Sequence, residues 1–248
     1  MKHRKTVIVG NWKMNTDVQS GINLAKQILD LSNNITNVEK IICPPFVSLT
    51  SIAKVLKGSS IQLGAQNVNP NENGAFTGEV STAMLHGLVS HVVIGHSERR
   101  MFNDESSDEI AAKAVSLSKA GMTAILCVGE DLSIRKSGKA VNFIAKQLEA
   151  SLKGFSNWNS LIIAYEPIWA IGKNNRAANI YYCNESMHYI KKNISKKVEK
   201  VSILYGGSVN EKNYSEFIKS KFIDGIFIGR AALKVNNFLK ICKEASKI

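Results

Sequence analysis

Glu166 follows an apolar run, Leu161 to Tyr165, and is itself followed by Pro167 and the bulky stretch Ile168, Trp169, Ala170 and Ile171. The run reads as a buried strand, so the carboxylate stands at a strand's C-terminal edge. Pro167 fixes its own φ and biases Glu166 away from helical backbone, which launches the apolar loop from a rigid, extended point. Exposed aromatic and aliphatic surface of this size usually covers something. The segment reads as a lid over an acid or base. A surface turn packed on the core, with Glu166 in a salt bridge, accounts for the same residues equally well.

Four other strand ends carry groups able to do chemistry. Asn11 and Lys13 follow the run Thr6 to Val9, and on extended backbone residues two apart project together. An amide beside an ammonium suits an oxyanion or a phosphate, although an ordinary loop lysine explains Lys13 taken alone. His96 and Glu98 follow the run Val92 to Ile94. Ser97 and Glu98 read as the start of a helix, whose positive end disfavours imidazolium and predicts a neutral ring able to polarise a carbonyl. Glu98 can pair with Lys13 or Arg99; the structural alternative is a satisfied core histidine with plain capping residues. Tyr205-Gly206-Gly207-Ser208 and Gly229-Arg230 close the last two runs, where glycines let backbone N–H groups approach an anion.

The elements that must hold these residues recur along the whole chain. Short β-branched runs span Thr6 to Val9, Lys40 to Cys43, Ser60 to Leu63, Val92 to Ile94, Thr123 to Val128, Leu161 to Tyr165, Val201 to Tyr205 and Gly225 to Ile228. Helix-spaced apolar positions lie at Val18 to Leu31, Val47 to Leu56, Asp108 to Lys119, Val141 to Leu152, Ala177 to Ile194 and Ala231 to Ala245. One run per roughly 31 residues is the size of a strand-helix unit. Runs without polar alternation predict a parallel sheet covered on both faces. Eight alternations with no Gly/Ser linker predict a single-domain α/β fold over residues 1–248, a parallel (β/α)8 barrel, with an open doubly wound sheet as the alternative.

Composition narrows the function classes. Hydrophobic content of 44% and charged content of 21% are globular values. The N-terminus is basic but carries no signal-peptide apolar core, and no stretch approaches a membrane span. Cys43, Cys127, Cys183 and Cys242 lie far apart without metal-ligand spacing, which predicts reduced thiols, a cytoplasmic protein and no metal. The 32 basic against 20 acidic residues give a charge of +12, which suits a polyanion. The basic residues are scattered, and Lys191, Lys192, Lys196, Lys197 and Lys200 read as a solvated helix face. No nucleic-acid partner and no membrane partner is therefore expected. A small phosphorylated substrate profits from the same field.

Taken together and in order, Asn11 to Asn15, Gly95 to Arg100, Ala164 to Gly172 and Tyr205 to Ser208 closely resemble the triosephosphate isomerase family, a TIM barrel, over essentially the full chain. That resemblance implies interconversion of dihydroxyacetone phosphate and glyceraldehyde 3-phosphate through an enediolate, with no cofactor. It implies Glu166 as the general base, His96 as the neutral electrophile, Asn11 and Lys13 as substrate-binding groups, and Glu98 as a carboxylate supporting Lys13. The acid/base scheme is the one general treatments use for this enzyme as a worked example. A lid from Pro167 to about Ala177 would exclude water from an intermediate that otherwise expels phosphate. Gly172, Ser208 and Gly229 match phosphate-holding positions, and Tyr205 matches a residue that latches the lid.

Two departures from the family pattern stand out. Gly172 is followed by Lys173-Asn174-Asn175-Arg176 where the family usually continues Thr-Gly, and the usual final Gly-Gly pair reads Gly229-Arg230. Arg230 keeps a backbone N–H for phosphate, but its side chain must turn away or contact the ligand, and a positive φ there would be strained. The stretch Asn73 to Glu79, with Phe76, resembles the family's interdigitating loop, which implies a homodimer in which Thr77 reaches Lys13 and His96 of the other subunit. Rival barrel enzymes fit less well. A Schiff-base aldolase wants a buried, low-pKa lysine on a strand, none being expected in the apolar strand cores, and a metal-dependent epimerase wants converging His and Asp ligands.

Overall fold

The computed structural model describes residues 5–171, 178–194, 201–210 and 213–248. Eight strands are β1 (Thr6–Asn11), β2 (Val38–Cys43), β3 (Ile61–Ala65), β4 (His91–Ile94), β5 (Thr123–Val128), β6 (Leu161–Tyr165), β7 (Ser202–Tyr205) and β8 (Gly225–Ile228). Each pairs in parallel with the next, and β8 returns to β1 in the register Val7 to Gly225 through Gly10 to Ile228, closing the barrel. The helices are α1 (Val18–Leu31), α2 (Leu49–Leu56), α3 (Thr82–Leu85), α4 (Ser97–Phe102), α5 (Ser107–Lys119), α6 (Leu132–Lys136), α7 (Ala140–Ser151), α8 (Ile180–Ile194), α9 (Tyr214–Ile218) and α10 (Val235–Ala245). The barrel is the alternative that the strand count favoured, and the open sheet is excluded.

Closure follows from strand composition. Successive side chains alternate between the two faces of a strand, so Val7 and Val9 enter the barrel while Ile8 turns to the helices. Ile41, Cys43, Val93, Ile125, Cys127, Ile162, Ala164, Leu204 and Phe227 complete the interior. The outer layer holds Ile42, Val92, Ile94, Leu126, Ile163 and Ile203 against apolar helix faces. Both faces being dry, the strands read as unbroken apolar runs. Asp17 and Ser20 form a capping box that starts α1, and Ser106 with Glu109 does the same for α5.

The differences from the sequence reading have local causes. The run expected from Val47 opens as a 3-10 turn, Phe46–Ser48, before α2, and that expected from Ala231 opens as a second one, Arg230–Leu233, before α10. The expected start at Ala177 lies outside the described residues. Helices α3, α6 and α9 were not anticipated, because four or five residues are too few to show a period, and of α4 only the start at Ser97 was read. A fuller correction concerns lysine. Lys40, on the helix-facing side of β2, is only 1% exposed, and burial lowers its pKa. A buried strand lysine therefore exists. Its ammonium donates to Ser32 O at 3.2 Å and Ile35 O at 2.7 Å, just past the C-terminus of α1, where the helix dipole is negative. It is a cap at the strands' N-terminal end, remote from the end where a barrel does chemistry. No helix among the described residues is long and apolar enough to cross a membrane.

Candidate active site

The C-terminal strand ends bring together Asn11, Lys13, His96, Glu98 and Glu166. Ile162 and Ala164 point into the barrel, and Glu166 continues that parity one step past β6, into the mouth. Its backbone N–H donates to Val128 O at 2.7 Å, which extends the sheet register one residue past β6. A Cβ at Gly206 would stand 2.9 Å from Glu166 Cγ, and one at Gly129 would overlap the Glu166 carbonyl. The flanking glycines let the strand ends close around this residue. Glu166 is 2% exposed, which rejects the surface-turn reading.

The buried carboxylate is not alone. Oε2 accepts the Ser97 backbone N–H at 3.0 Å, and Oε1 lies 3.1 Å from His96 Nε2. Burial raises the Glu166 pKa, but His96, the Ser97 N–H and Lys13 more than offset it, so the value is lowered. His96 caps α4 as expected, its Nδ1 accepting the Glu98 backbone N–H at 3.2 Å. That bond needs a lone pair on Nδ1 and leaves the ring proton on Nε2, facing Glu166. Burial opposes a second proton on the ring, while the Glu166 carboxylate favours one and raises the pKa while the two are in contact. The helix-end argument alone omitted that carboxylate. Gly95, at φ +67°, makes the turn from β4 into His96, and a side chain there would meet Arg100 Nη2 at 2.8 Å. Arg100 in turn donates to Gly95 O at 2.9 Å.

Lys13 stands beside Asn11 for a different reason from the one the spacing gave. It lies past β1 at φ +54°, a left-handed conformation costing roughly 1–3 kcal/mol for a non-glycine residue. Two side chains hold it there. Asn11 Oδ1 accepts the Lys13 backbone N–H at 3.0 Å, and Gln66 Nε2 donates to Lys13 O and to Cys43 O, each at 2.9 Å. Asn11 thereby keeps its amide hydrogens for a ligand. The Lys13 ammonium pairs with Glu98, while Arg99 turns to Glu105 at 3.0 Å, which resolves the choice the sequence left open.

Pro167 leads into a 3-10 turn, Ile168–Ala170, that ends at Ile171. The turn is bolted at its base. Ile168 N–H donates to Glu130 O at 3.0 Å, Trp169 Nε1 to Glu130 Oε1 at 3.3 Å, and Tyr165 OH to the same oxygen at 3.0 Å. Arg135 pairs with Glu130 at 2.7 Å and donates to Ser186 Oγ at 2.7 Å. Glu130, Arg135 and Gln66 are functional-site residues the sequence reading missed. Tyr205 OH accepts the Ala178 N–H at 3.2 Å, and Ser208 N–H donates to Ala170 O at 3.0 Å. Gly172 and the stretch Lys173 to Arg176 lie outside the described residues. Gly229 sits against Lys13, whose Nζ would be 3.9 Å from a Cβ there. Arg230 is exposed and opens a 3-10 turn without the positive φ that would have strained it. Thr77 is exposed, in a loop closed at its base by Asn69 N–H to Val80 O at 2.7 Å.

A closed parallel eight-stranded barrel with a buried carboxylate, an imidazole and an ammonium at its C-terminal mouth defines an acid/base barrel enzyme. The protein-family model described as triosephosphate isomerase matches residues 6–245. A triosephosphate isomerase of Dehalococcoides mccartyi strain CBDB1 is 42% identical over 250 residues, covering 99% of this chain and 98% of that protein. One from Caldanaerobacter subterraneus is 40% identical over 246 residues, covering 96% and 98%. The crystal structure of triosephosphate isomerase from Bartonella henselae superimposes with a TM-score of 0.89 at 34% identity, covering 98% of this chain and all of that one. The chain belongs to the triosephosphate isomerase family.

Removing the amide that braces Lys13 tests the site's geometry. Gln66→Leu keeps the volume but leaves Lys13 O without its donor and Cys43 O with the Trp12 N–H alone, and kcat/KM is expected to fall between about tenfold and a hundredfold. Steady-state kinetics beside a urea melt measure it; unchanged kinetics would show that Lys13 holds its conformation without Gln66.

Proposed function

We propose that Glu166, His96, Asn11, Lys13 and Glu98 carry out in this chain the triosephosphate isomerase reaction, the interconversion of dihydroxyacetone phosphate and glyceraldehyde 3-phosphate. The observation that carries this reading is the Glu166–His96 contact of 3.1 Å in a dry barrel mouth. Glu166, ionised and pre-aimed, takes the proton from one substrate carbon and returns it to the next. His96 turns its Nε2–H to the substrate oxygens as negative charge develops, while Nδ1 stays on the Glu98 N–H. The Asn11 amide and the Lys13 ammonium face the same charge in a low-dielectric site, where fixed donors act most strongly. Glu98 keeps Lys13 in place. Substrate entry parts Glu166 from His96, removing the carboxylate that raises the imidazole pKa and leaving burial to keep the ring neutral.

Glu166→Gln tests both roles. In a coupled assay with glyceraldehyde 3-phosphate, turnover is expected to fall roughly a thousandfold. By the same substitution the main cause raising the His96 pKa disappears, leaving only Glu98, so its NMR titration moves to lower pH than in the parent protein. A turnover within a few-fold of the parent would remove Glu166 from the role of base.

The phosphate end is formed, in this reading, by Ser208, Gly229 and Lys13, with the Pro167–Ile171 turn and Tyr205 serving the lid and its latch. Arg230, next to Gly229, adds a second cation. Arg230→Gly is then expected to raise KM about threefold to tenfold with kcat little changed, the sign of binding energy shared by ground and transition states. A sharp fall in KM would show instead that the arginine obstructs the phosphate.

The partner in this reading is a second copy of the chain. Met14, Val47, Phe76, Met101 and Phe102 are exposed on the first four βα connections, Met14 at 97% and Phe102 at 77%. Apolar residues gathered on one set of loops favour burial against a partner. Thr77, on the same set of loops, would meet the Lys13 and His96 of the other subunit. Gel filtration with activity measured across the peak is expected to place all activity in a dimer; a fully active monomer would overturn this assembly.

A further inference from the structure

Along the chain the basic residues behind the +12 charge are scattered; in the fold they gather. Helix C-termini, and the connections that follow them, lie at the strands' N-terminal end, opposite the mouth. There Lys57 follows α2, Lys119 ends α5 and Lys153 follows α7. Lys192 stands in the last turn of α8, Lys219 and Lys221 follow α9, and Lys247 follows α10. All these side chains are exposed. The carboxylates described at the same end, Asp30, Glu39, Glu149, Asp224 and Glu244, are outnumbered, and two are engaged locally: Asp224 with Lys191 at 3.1 Å and Glu244 with Lys247 at 2.6 Å. The described βα connections, by contrast, hold carboxylates and cations in nearly equal number. Strands of four to six residues keep the two ends roughly 15 Å apart, about two Debye lengths at physiological salt, so this charge does little for a substrate at the mouth.

Helix dipoles account for only part of the pattern. A lysine in a last turn offsets the negative helix end, as at Lys119 and Lys192. Helices α7 and α9 have no basic residue in their last turns, and their lysines stand beyond them. The side chains narrow the partner further. Every cation described at this end is a lysine, a point charge without the fork by which arginine grips single phosphates. Among the described residues no exposed phenylalanine, tyrosine or tryptophan offers a base a stacking platform there. Exposed aliphatic groups are present, Leu31 at 61% and Ile248 at 59%, and Asn37 Nδ2 donates to Ser246 O at 3.5 Å, which draws their two segments together. Because the helices surround the barrel, the lysines ring a disc and do not follow a groove. A nucleic-acid duplex touches a stripe of such a disc, whereas a bilayer touches all of it.

We propose that the barrel end opposite the mouth is a docking face for an anionic lipid bilayer. Its lysines meet the headgroup charge, Leu31 and Ile248 enter the headgroup boundary, and the mouth points away into solution. Attraction between lysines and such a surface ends within a Debye length, so the ring acts as a whole only when face and bilayer lie parallel. The scatter along the sequence, on which the expectation of no membrane partner rests, is removed by the fold.

Sedimentation of the full chain with vesicles tests this independently of catalysis. With phosphatidylcholine containing about one third phosphatidylserine, most of the protein is expected to pellet at about 50 mM salt, and binding is expected to weaken at least about tenfold at about 500 mM. Vesicles of phosphatidylcholine alone are expected to pellet none. Lys57→Gln, Lys153→Gln and Lys219→Gln combined are expected to weaken binding about tenfold, with the melting temperature unchanged. Lys136→Gln, Lys139→Gln and Lys234→Gln combined make the same change of charge at the mouth, and are expected to alter binding by less than about twofold. No pelleting with the anionic vesicles, equal losses in the two triple variants, or tighter binding to a short DNA duplex at the same salt would overturn the proposal.

Discussion

A carboxylate with almost no exposure must either lose its charge or be solvated by the protein, and that constraint organises the mouth of this barrel. Removing a carboxylate from water costs several kcal/mol even after relaxation. Glu166 recovers it from a backbone N–H at the start of α4 and from the imidazole that precedes that helix. Both donors depend on the sharp turn at Gly95, and Gly95 is held by Arg100. The carboxylate on β6 therefore dictates the backbone after β4, and the intervening β5 end must be slim, which it is at Gly129. Three consecutive strand ends are shaped by one charge.

The cation of the site is placed by a different device. Lys13 sits in a conformation that lysine does not choose, and the cost is offset by hydrogen bonds to its own backbone, one from each side. Because Gln66 follows β3 and also bonds Cys43 O on β2, the first three strand ends are cross-linked by a single amide. The backbone that carries the ammonium is thus fixed by the protein itself, a preorganisation that a ligand does not have to supply.

These devices differ in how well a sequence discloses them. The eight strands and six longer helices were legible because their apolar periods persist over many residues, and Glu166 was legible because its strand's parity carries straight into the mouth. That Lys13 stands beside Asn11 was legible, but its geometry was not: the extended spacing that suggested it stops at Trp12, and a left-handed lysine leaves no mark in composition. Gln66, Glu130 and Arg135 were invisible for a related reason. Each acts by bonding backbone or side chains far away in sequence, and a polar residue in a loop looks the same whether or not such a partner exists. The positions of Gln66 and Glu130, just past strand ends, were the available signal. Lys40 was misjudged because a lysine at a strand's first turn usually reaches water, whereas here the end of α1 offers it carbonyls.

Strand β4 carries a histidine at or beside each end, and the pair shows why chemistry and stability separate along a barrel. His91, where the strand begins, bonds Ser90 Oγ at 2.8 Å, and burial pushes its pKa down to about 4. Lys40 is spent in a similar way at the same end of the sheet, on carbonyls of its own chain. His96, just past the strand's other end, is as buried, yet its pKa moves up, because a buried carboxylate faces it. Burial is common to both rings, so it cannot be what distinguishes a structural histidine from a chemical one. The difference lies in the partner. His91 bonds a hydroxyl and has only the part-exposed Glu39 carboxylate at 3.6 Å, whereas His96 lies 3.1 Å from the buried Glu166 carboxylate, whose charge little solvent screens and which therefore favours a second proton on the ring.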